Sequence, residues 1–116
     1  AALAIMELID EEQLVDQARR MGTYLLEQLT TRLSSHPHVG DVRGAGMMLA
    51  LEFVRDKTTR EPVEHAFGVK LSAALHREGI LGNFFNGVLI MYPPLNLRID
   101  EADYLLNGVT RAVQSL

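Results

Sequence analysis

Acidic residues and histidines are the side chains of this chain that could do chemistry. Carboxylates cluster in Asp10-Glu11-Glu12 and again in Asp100, Glu101 and Asp103. Paired carboxylates can serve acid-base catalysis or hold a metal ion. Both clusters lie where a helix is predicted to begin, and anionic side chains cap a helix N-terminus and suit its dipole. Capping is therefore the favoured interpretation of both.

Two of the four histidines, His36 and His38, flank a proline and could bind a metal ion with a third ligand. No spacing in the chain supplies that ligand. His65 and His76 stand alone near the two ends of a predicted helix. We interpret all four as turn, surface or structural residues, and we predict no metal site.

Glycines at positions 40, 44 and 46 could expose backbone N–H groups to an anion. The segment fits neither known phosphate-binding pattern: the residue three after Gly46 is Leu49, and no Lys-Ser or Lys-Thr follows. We predict that residues 39–46 form a tight turn ahead of a buried strand. An anion-sensing loop is the weakest alternative.

The two lysines do not resemble the desolvated amine of a Schiff-base enzyme. Lys57 lies in a charged segment, and Lys70 lies on the polar side of a predicted helix. No serine is flanked by glycines as in a nucleophile elbow, and the chain has no cysteine. Taken alone, the residues predict no catalytic and no cofactor-binding group.

The composition is that of an ordinary globular chain. Its 116 residues, 47% hydrophobic and 22% charged, suit one domain with a core. A net charge of −4 without a basic cluster argues against nucleic acid. Apolar runs such as residues 47–51 are far shorter than the roughly 20 residues that cross a bilayer. We expect a cytoplasmic protein that binds neither nucleic acid nor membrane.

Three amphipathic helices are predicted. Residues 1–9 already read as helix, and the first amphipathic helix covers residues 11–35; it must end before Pro37, because the residue ahead of a proline avoids helical backbone. A second apolar stripe follows residue 65 and stops at Gly79, a suitable residue to end a helix. The third helix is predicted to start at Asp100 as its N-cap. Their apolar stripes are Leu14, Ala18, Met21, Leu25, Leu29 and Leu33; Phe67, Leu71, Ala74 and Leu75; and Ala102, Leu105, Leu106, Val109, Ala112, Val113 and Leu116.

Strands are predicted between these helices. Residues 47–54 are apolar at nearly every position, which indicates a strand covered on both faces. Residues 55–64 read as a charged surface loop. Residues 80–81 and 88–92 are predicted as two extended pieces around a turn, ended by Pro93 and Pro94. The element order predicts an α+β fold, a small antiparallel or mixed β-sheet with helices packed on it in two layers.

Four segments resemble the C-terminal segment of class III aminotransferases, the pyridoxal-phosphate enzymes of fold type I. They are LVDQARRMGTYLLEQL, HPHVGDVRGAGMMLALEFV, LHREGIL and MYPPLNLRIDEADYL, in the order that the family has. Val-Arg-Gly-x-Gly-Met-Met leading into a strand with Glu52, and then Pro93-Pro94-Leu95, is the most specific part. The chain also opens inside a predicted helix. We therefore expect a single domain, residues 1–116, that is a fragment: residues 1–35 as a helical connection and 36–116 as the sheet and its helices.

The resemblance implies a longer parent protein in which a second, larger domain has the catalytic groups. In this family a large domain binds pyridoxal 5'-phosphate and carries the Schiff-base lysine, and the active sites form at a dimer interface. It implies a homodimeric parent that moves an amino group from an amino acid or amine to a keto acid. This part alone, without the large domain, would be inactive. A non-catalytic α+β protein-interaction module derived from such a domain is the alternative.

The family's small domain often supplies an arginine for the substrate carboxylate, because a guanidinium binds that planar anion through two hydrogen bonds. At the two positions where it occurs, this chain has Asn83 and Ile90. The substrate-facing candidates are therefore Asn83, Phe84 and Phe85, which could line a substrate entrance, and Arg43. A structural role for Arg43, and a hairpin turn with aromatic packing for the other three, are the alternatives. The amine and the keto acid are left open.

Overall fold

In the computed structural model, which describes the backbone of residues 2–116 and the side chains of residues 13–116, helix α1 spans Ala2–Leu33. Its buried side chains recur every three or four residues, as one helical face requires. The helix ends ahead of Pro37, as predicted. Its backbone runs unbroken through residues 10–12, so the prediction that these acids cap the start of a helix is wrong. At Gly22 it lies so close to the sheet that an added Cβ would overlap the carbonyl group of Gly46.

Within residues 2–116, five strands form one antiparallel sheet. The strands are β1 (Val39–Ala45), β2 (Met48–Asp56), β3 (Glu61–Pro62), β4 (Asn83–Phe85) and β5 (Val88–Met91). Four of them lie in the order β1-β2-β5-β4, and β3 pairs with the end of β2. Part of the predicted surface loop, residues 55–64, is therefore paired strand, although all of it except Val63 is exposed.

The predicted turn over residues 39–46 is wrong except at its end. Residues 39–45 are strand β1, and only Gly46, with φ of +58°, occupies the turn to β2. The other two glycines permit close packing: a Cβ at Gly40 would press on the side chain of Val54, and one at Gly44 on that of Leu49. Glycines in a strand mark such close approaches as well as turns.

As far as Glu52, strand β2 is covered on one face only, which corrects the predicted cover on both. Leu49, Leu51 and Phe53 are buried against the helices. On the other face Met48, Ala50 and Glu52 are more accessible, with 42% of Met48 exposed, and only Val54, which pairs with β3, is buried. The chain therefore leaves one side of its sheet open.

Helices α2 (His65–Arg77) and α3 (Ile99–Gln114) follow the predicted stripes. Gly79, at φ +73°, lies just past α2 as expected. Helix α3 begins earlier than predicted: Asp100 is inside the helix, and the N-cap is Arg98, whose backbone N–H donates to Glu101 Oε1 at 3.1 Å. An acidic side chain within the first turn thus accepts the backbone N–H of the N-cap residue, which has no partner in the helix.

The hairpin of β4 and β5 turns at Asn86 and Gly87, whose φ values are +50° and +79°. Two residues with positive φ suit the twist of a two-residue hairpin. Its first strand is Asn83–Phe85, so the extended piece predicted at residues 80–81 is misplaced, and Ile80 is a buried core residue instead. Helices on one side of an antiparallel sheet confirm the predicted two-layer α+β fold. The division at residue 35 stays a prediction.

Candidate functional site

Three of the four candidate residues lie on the side of the sheet that faces away from the helices. Arg43 pairs with Ala50, Asn83 with Ile90, and Phe85 with Val88. Side chains of paired residues lie on the same face of an antiparallel sheet. We call this side the open face. Its residues are Asp41, Arg43 and Ala45 of β1; Met48, Ala50 and Glu52 of β2; Val88 and Ile90 of β5; and Asn83 and Phe85 of β4.

Phe84 lies on the opposite side, because successive strand residues alternate. Its ring centroid is 6.1 Å from that of Phe53 and 6.5 Å from that of Phe67. A Cβ at Gly68 of α2 would overlap the Phe84 ring. Phe84 therefore packs in the core, away from the other three candidates.

Arg43 is held by two carboxylates at one end of the open face. Its Nη1 donates to Glu52 Oε2 at 2.7 Å and to Asp41 Oδ2 at 3.0 Å. These hydrogen bonds, first to Glu52 and then to Asp41, raise the pKa of Arg43. Charge-assisted bonds of this kind are stronger than neutral ones. The guanidinium is thus engaged within the protein itself.

Glu52 joins Arg43 to a second arginine that sequence reasoning did not connect with this site. Its other oxygen, Oε1, accepts from Arg60 Nη2 at 2.9 Å, and Arg60 Nη1 also donates to the carbonyl of Gly40 at 3.1 Å. Two acids and two arginines leave this end of the face without net charge. Among the described residues, both guanidinium groups that reach it are paired. Only the strand register could have revealed the network.

The other end of the open face is apolar. Phe85 keeps 74% of its surface exposed, and Ala50, Val88 and Ile90 are half-buried. Asn83 provides an exposed amide beside them. Exposed apolar surface of this kind is typical of places where a protein contacts another domain, chain or ligand.

A groove of about 1140 Å³ adjoins this apolar end. It passes from Glu52 and Arg60 along the Asn86 turn and Phe85 to α2, where Ser72 lies on its wall. It is an open groove with charged groups at one end and apolar walls at the other. Such mixed walls suit a small organic molecule or a covering segment.

The histidines around residue 37 make structural contacts. His36 Nδ1 accepts from the backbone N–H of His38 at 3.1 Å, and the His38 ring meets Phe67 edge-on. Burial is the main cause that lowers the pKa of His36. Among residues with described side chains, no three histidines or carboxylates are grouped as metal ligands.

The lysines are both solvent-exposed. Lys57 Nζ donates to the backbone carbonyl of Ser34 at 2.7 Å, and Lys70 lies on the outer side of α2.

In the described part of the chain, no helix has the length and apolar character that a bilayer crossing needs.

Comparisons with known proteins bear on this geometry. Residues 1–113 match the family model described as Aminotransferase class-III. The chain is 34% identical over 119 residues to the taurine–pyruvate aminotransferase of Bilophila wadsworthia, a match that covers 97% of this chain and 26% of that protein.

Two solved aminotransferase structures match the fold of this chain over nearly its whole length. A Bacillus anthracis aminotransferase matches with a TM-score of 0.89 and 30% identity, covering 99% of this chain and 27% of that one. An (S)-enantioselective omega-transaminase from Thermomicrobium roseum matches with a TM-score of 0.86 and 40% identity, over 98% and 26%. The chain thus spans about a quarter of the length of the relatives it matches.

Proposed function

The chain belongs to the class III aminotransferase family, and on that premise we propose that it is the C-terminal small domain of a pyridoxal-phosphate-dependent aminotransferase. The whole protein would transfer an amino group from an amino acid or amine to a keto acid. The observation that carries this proposal is the family match over residues 1–113. The α+β fold that the chain shares with two transaminase structures supports it further.

The residues of this chain do not themselves fit pyridoxal phosphate. A Schiff base needs an amine that can lose its proton, which burial or a neighbouring cation favours. Both lysines are exposed, so the described residues offer no such amine. We propose that the cofactor and its lysine belong to the rest of the parent protein, and that this chain alone has no transaminase activity.

We propose the open face as the surface against which the large domain packs. Apolar residues of this face such as Met48, which is exposed in this chain, would be buried there, while Asn83 and Phe85 would border the substrate entrance; burial of apolar surface is the main driving force of such contacts. We propose that the parent is a homodimer, which rests on the family resemblance alone, and that it is cytoplasmic, which rests on the composition of the sequence.

For substrate, we propose that Asn83 and Phe85 face the amino donor, while Arg43 holds the strands together. Arg43 already has two carboxylate partners, so a substrate carboxylate would meet a guanidinium whose charge is balanced and two acidic side chains that repel it. An amide and an aromatic ring offer apolar contact and neutral hydrogen bonds instead. This favours a donor without a second charged group near this face.

Asn83→Arg in the whole protein tests the substrate proposal. A guanidinium at the apolar end should lower KM for a dicarboxylic amino donor by about tenfold, or 1.4 kcal/mol, relative to a neutral amine. Asn96→Arg, at an exposed loop position away from the open face and its groove, is the matched control and should leave that ratio unchanged. Equal effects of both variants, or no effect of either, would remove Asn83 from the substrate site.

A non-catalytic protein-interaction module is the second candidate. The observation that favours it is the exposed apolar surface, which includes Leu81 at 87% exposure as well as Phe85. Transaminase activity of the complete gene product separates the two candidates. An inactive product that forms a stable complex through the open face would support the module.

A further inference from the structure

The chain contains the dipeptide Asn-Gly twice, as Asn86-Gly87 and as Asn107-Gly108. In this dipeptide the glycine nitrogen can attack the asparagine side-chain carbonyl, because glycine has no side chain to hinder the approach and its backbone is permissive. The two pairs have the same covalent chemistry. They differ only in what surrounds them.

Asn86 and Gly87 form the exposed turn of the β4–β5 hairpin. Asn86 has a φ of +50°, which is uncommon outside glycine. In the part of the chain that is described, no hydrogen bond is donated by the Gly87 nitrogen within this turn. The turn is attached to β2 through the Gly87 carbonyl, which accepts from the Phe53 N–H at 2.7 Å.

Strand β4 has three residues and lies at the sheet edge. Short edge elements with exposed backbone open locally at low free-energy cost. Such an opening lets Asn86 leave the left-handed conformation and bring its side-chain carbonyl to the Gly87 nitrogen.

Asn107 and Gly108 are held in the middle of α3 (Ile99–Gln114). An N–H at this position donates to the carbonyl four residues earlier. Gly108 is buried, and a Cβ added to it would overlap the Ile80 side chain. The Asn107 side chain is also engaged, since its Oδ1 accepts from Arg32 at 2.9 Å. Attack here would require several turns of a packed helix to unfold.

We propose that Asn86 is a site of spontaneous deamidation and isoaspartate formation, and that Asn107 is protected from it. The Gly87 nitrogen loses its proton to solvent and bonds to Asn86 Cγ. The bond from Cγ to Nδ2 then breaks, and the side-chain nitrogen takes up protons and leaves as ammonia. Water opens the resulting five-membered imide at either carbonyl, which gives aspartate or isoaspartate at position 86. No oxidant or reductant is involved.

The product changes the surface beside Phe85. Either acid adds a negative charge at the hairpin turn, and isoaspartate also adds a methylene to the backbone between Phe85 and Gly87. The longer backbone displaces the Gly87 carbonyl from the Phe53 N–H. Modified molecules should therefore hold the turn of the β4–β5 hairpin less tightly against β2.

Ageing the whole purified protein at neutral pH tests the proposal. Peptide mass spectrometry, with isoaspartyl methyltransferase labelling, should find modification at Asn86 at roughly tenfold the rate at Asn107 or more, a ratio that about 1.4 kcal/mol of difference in local opening produces. In denaturant the two sites should react at similar rates, because their sequences are alike. Asn86→Gly, which keeps a turn-forming pair, should abolish the labelling.

Equal rates at the two sites in the folded protein would overturn the proposal. An unmodified Asn86 in a sample whose denatured form reacts would also overturn it, since the turn would then be protected. The proposed function is tested separately, by the transaminase activity of the same whole protein, so its failure is distinguishable from an unmodified Asn86.

Discussion

Phe84 and Phe85 are chain neighbours with opposite environments, and their difference shows what decides a residue's role here. Phe84 packs against Phe53 and Phe67, whereas Phe85 is 74% exposed. The sequence identified both as aromatic residues near a turn. It could not assign their sides, because a strand's alternation has a phase that only pairing with β5 fixes.

Phe84→Ala should therefore cost far more stability than Phe85→Ala. The first change removes contacts with two rings and leaves a cavity over Gly68, for an expected loss of about 3 kcal/mol. The second removes an exposed ring and should cost less than about 0.5 kcal/mol. Urea unfolding of both variants measures the difference. Equal losses would contradict the alternation assigned to β4.

Arg43 is a second residue whose role the sequence could not decide. Sequence reasoning proposed it as a substrate-facing candidate, with a structural role as the alternative. The contacts with Glu52 and Asp41 favour the structural role. Those partners could not be read from the sequence, since Glu52 is nine residues away and meets Arg43 only across the β1–β2 hairpin.

At the scale of elements, the position of α1 on the sheet depends on one close approach. Gly22 faces the carbonyl of Gly46 at the turn between β1 and β2. The sequence predicted the stripe of α1 from its spacing. The contact at Gly22 is long-range, so the pattern of neither segment discloses it.

Gly22→Ala tests that contact. Alanine favours a helix over glycine by about 1 kcal/mol, so a gain in stability is expected if the position is free. The new Cβ would instead overlap backbone that cannot move without shifting β1, and we expect a net loss of about 2 kcal/mol or more. Thr23→Ala, at the exposed neighbouring position, is the control and should be close to neutral. A stabilised Gly22→Ala variant would show that α1 sits farther from the sheet.

An ion pair joins the end of α2 to α3. Arg111 Nη2 lies 2.8 Å from Glu78 Oε2. The hydrogen bond with Arg111 is the main cause that lowers the pKa of Glu78. A carboxyl group whose pKa is lower in the folded state stabilises the fold above its unfolded pKa, about 4.3. That contribution is lost as the pH falls through the folded value.

Glu78→Gln should accordingly flatten the acid side of the stability curve below about pH 4. The measurement is the free energy of unfolding against pH for both proteins. Arg111→Gln should flatten the same region, because it removes the hydrogen bond from the other partner. Unchanged slopes in both variants would mean that the pair does not persist in solution.

Some elements were predictable because their signals are local. The stripes of all three helices, the end of α2 at Gly79 and the two-layer α+β class follow from spacing and turn residues. Strand β1 and the start of α3 were misread. Glycines that permit close packing in β1 look like turn residues, and Asp100 resembles a cap although Arg98 holds that place.

At the scale of the whole molecule, the open face is the feature that spacing alone did not predict. Residues 47–54 read as a strand covered on both sides, and in this chain one side is open. The match to aminotransferases about four times as long offers a physical reason. A sequence shaped by a covering domain keeps apolar residues on a face that the chain alone leaves exposed.

The central claim is that this chain is one domain of a larger aminotransferase and does not hold the cofactor. Titrating pyridoxal phosphate into the 116-residue chain and into the complete gene product, followed by visible absorption, tests it most directly. We predict the band of protein-bound cofactor, together with transaminase activity, for the complete product only. A band in the 116-residue chain that Lys57→Ala or Lys70→Ala abolishes would contradict the claim.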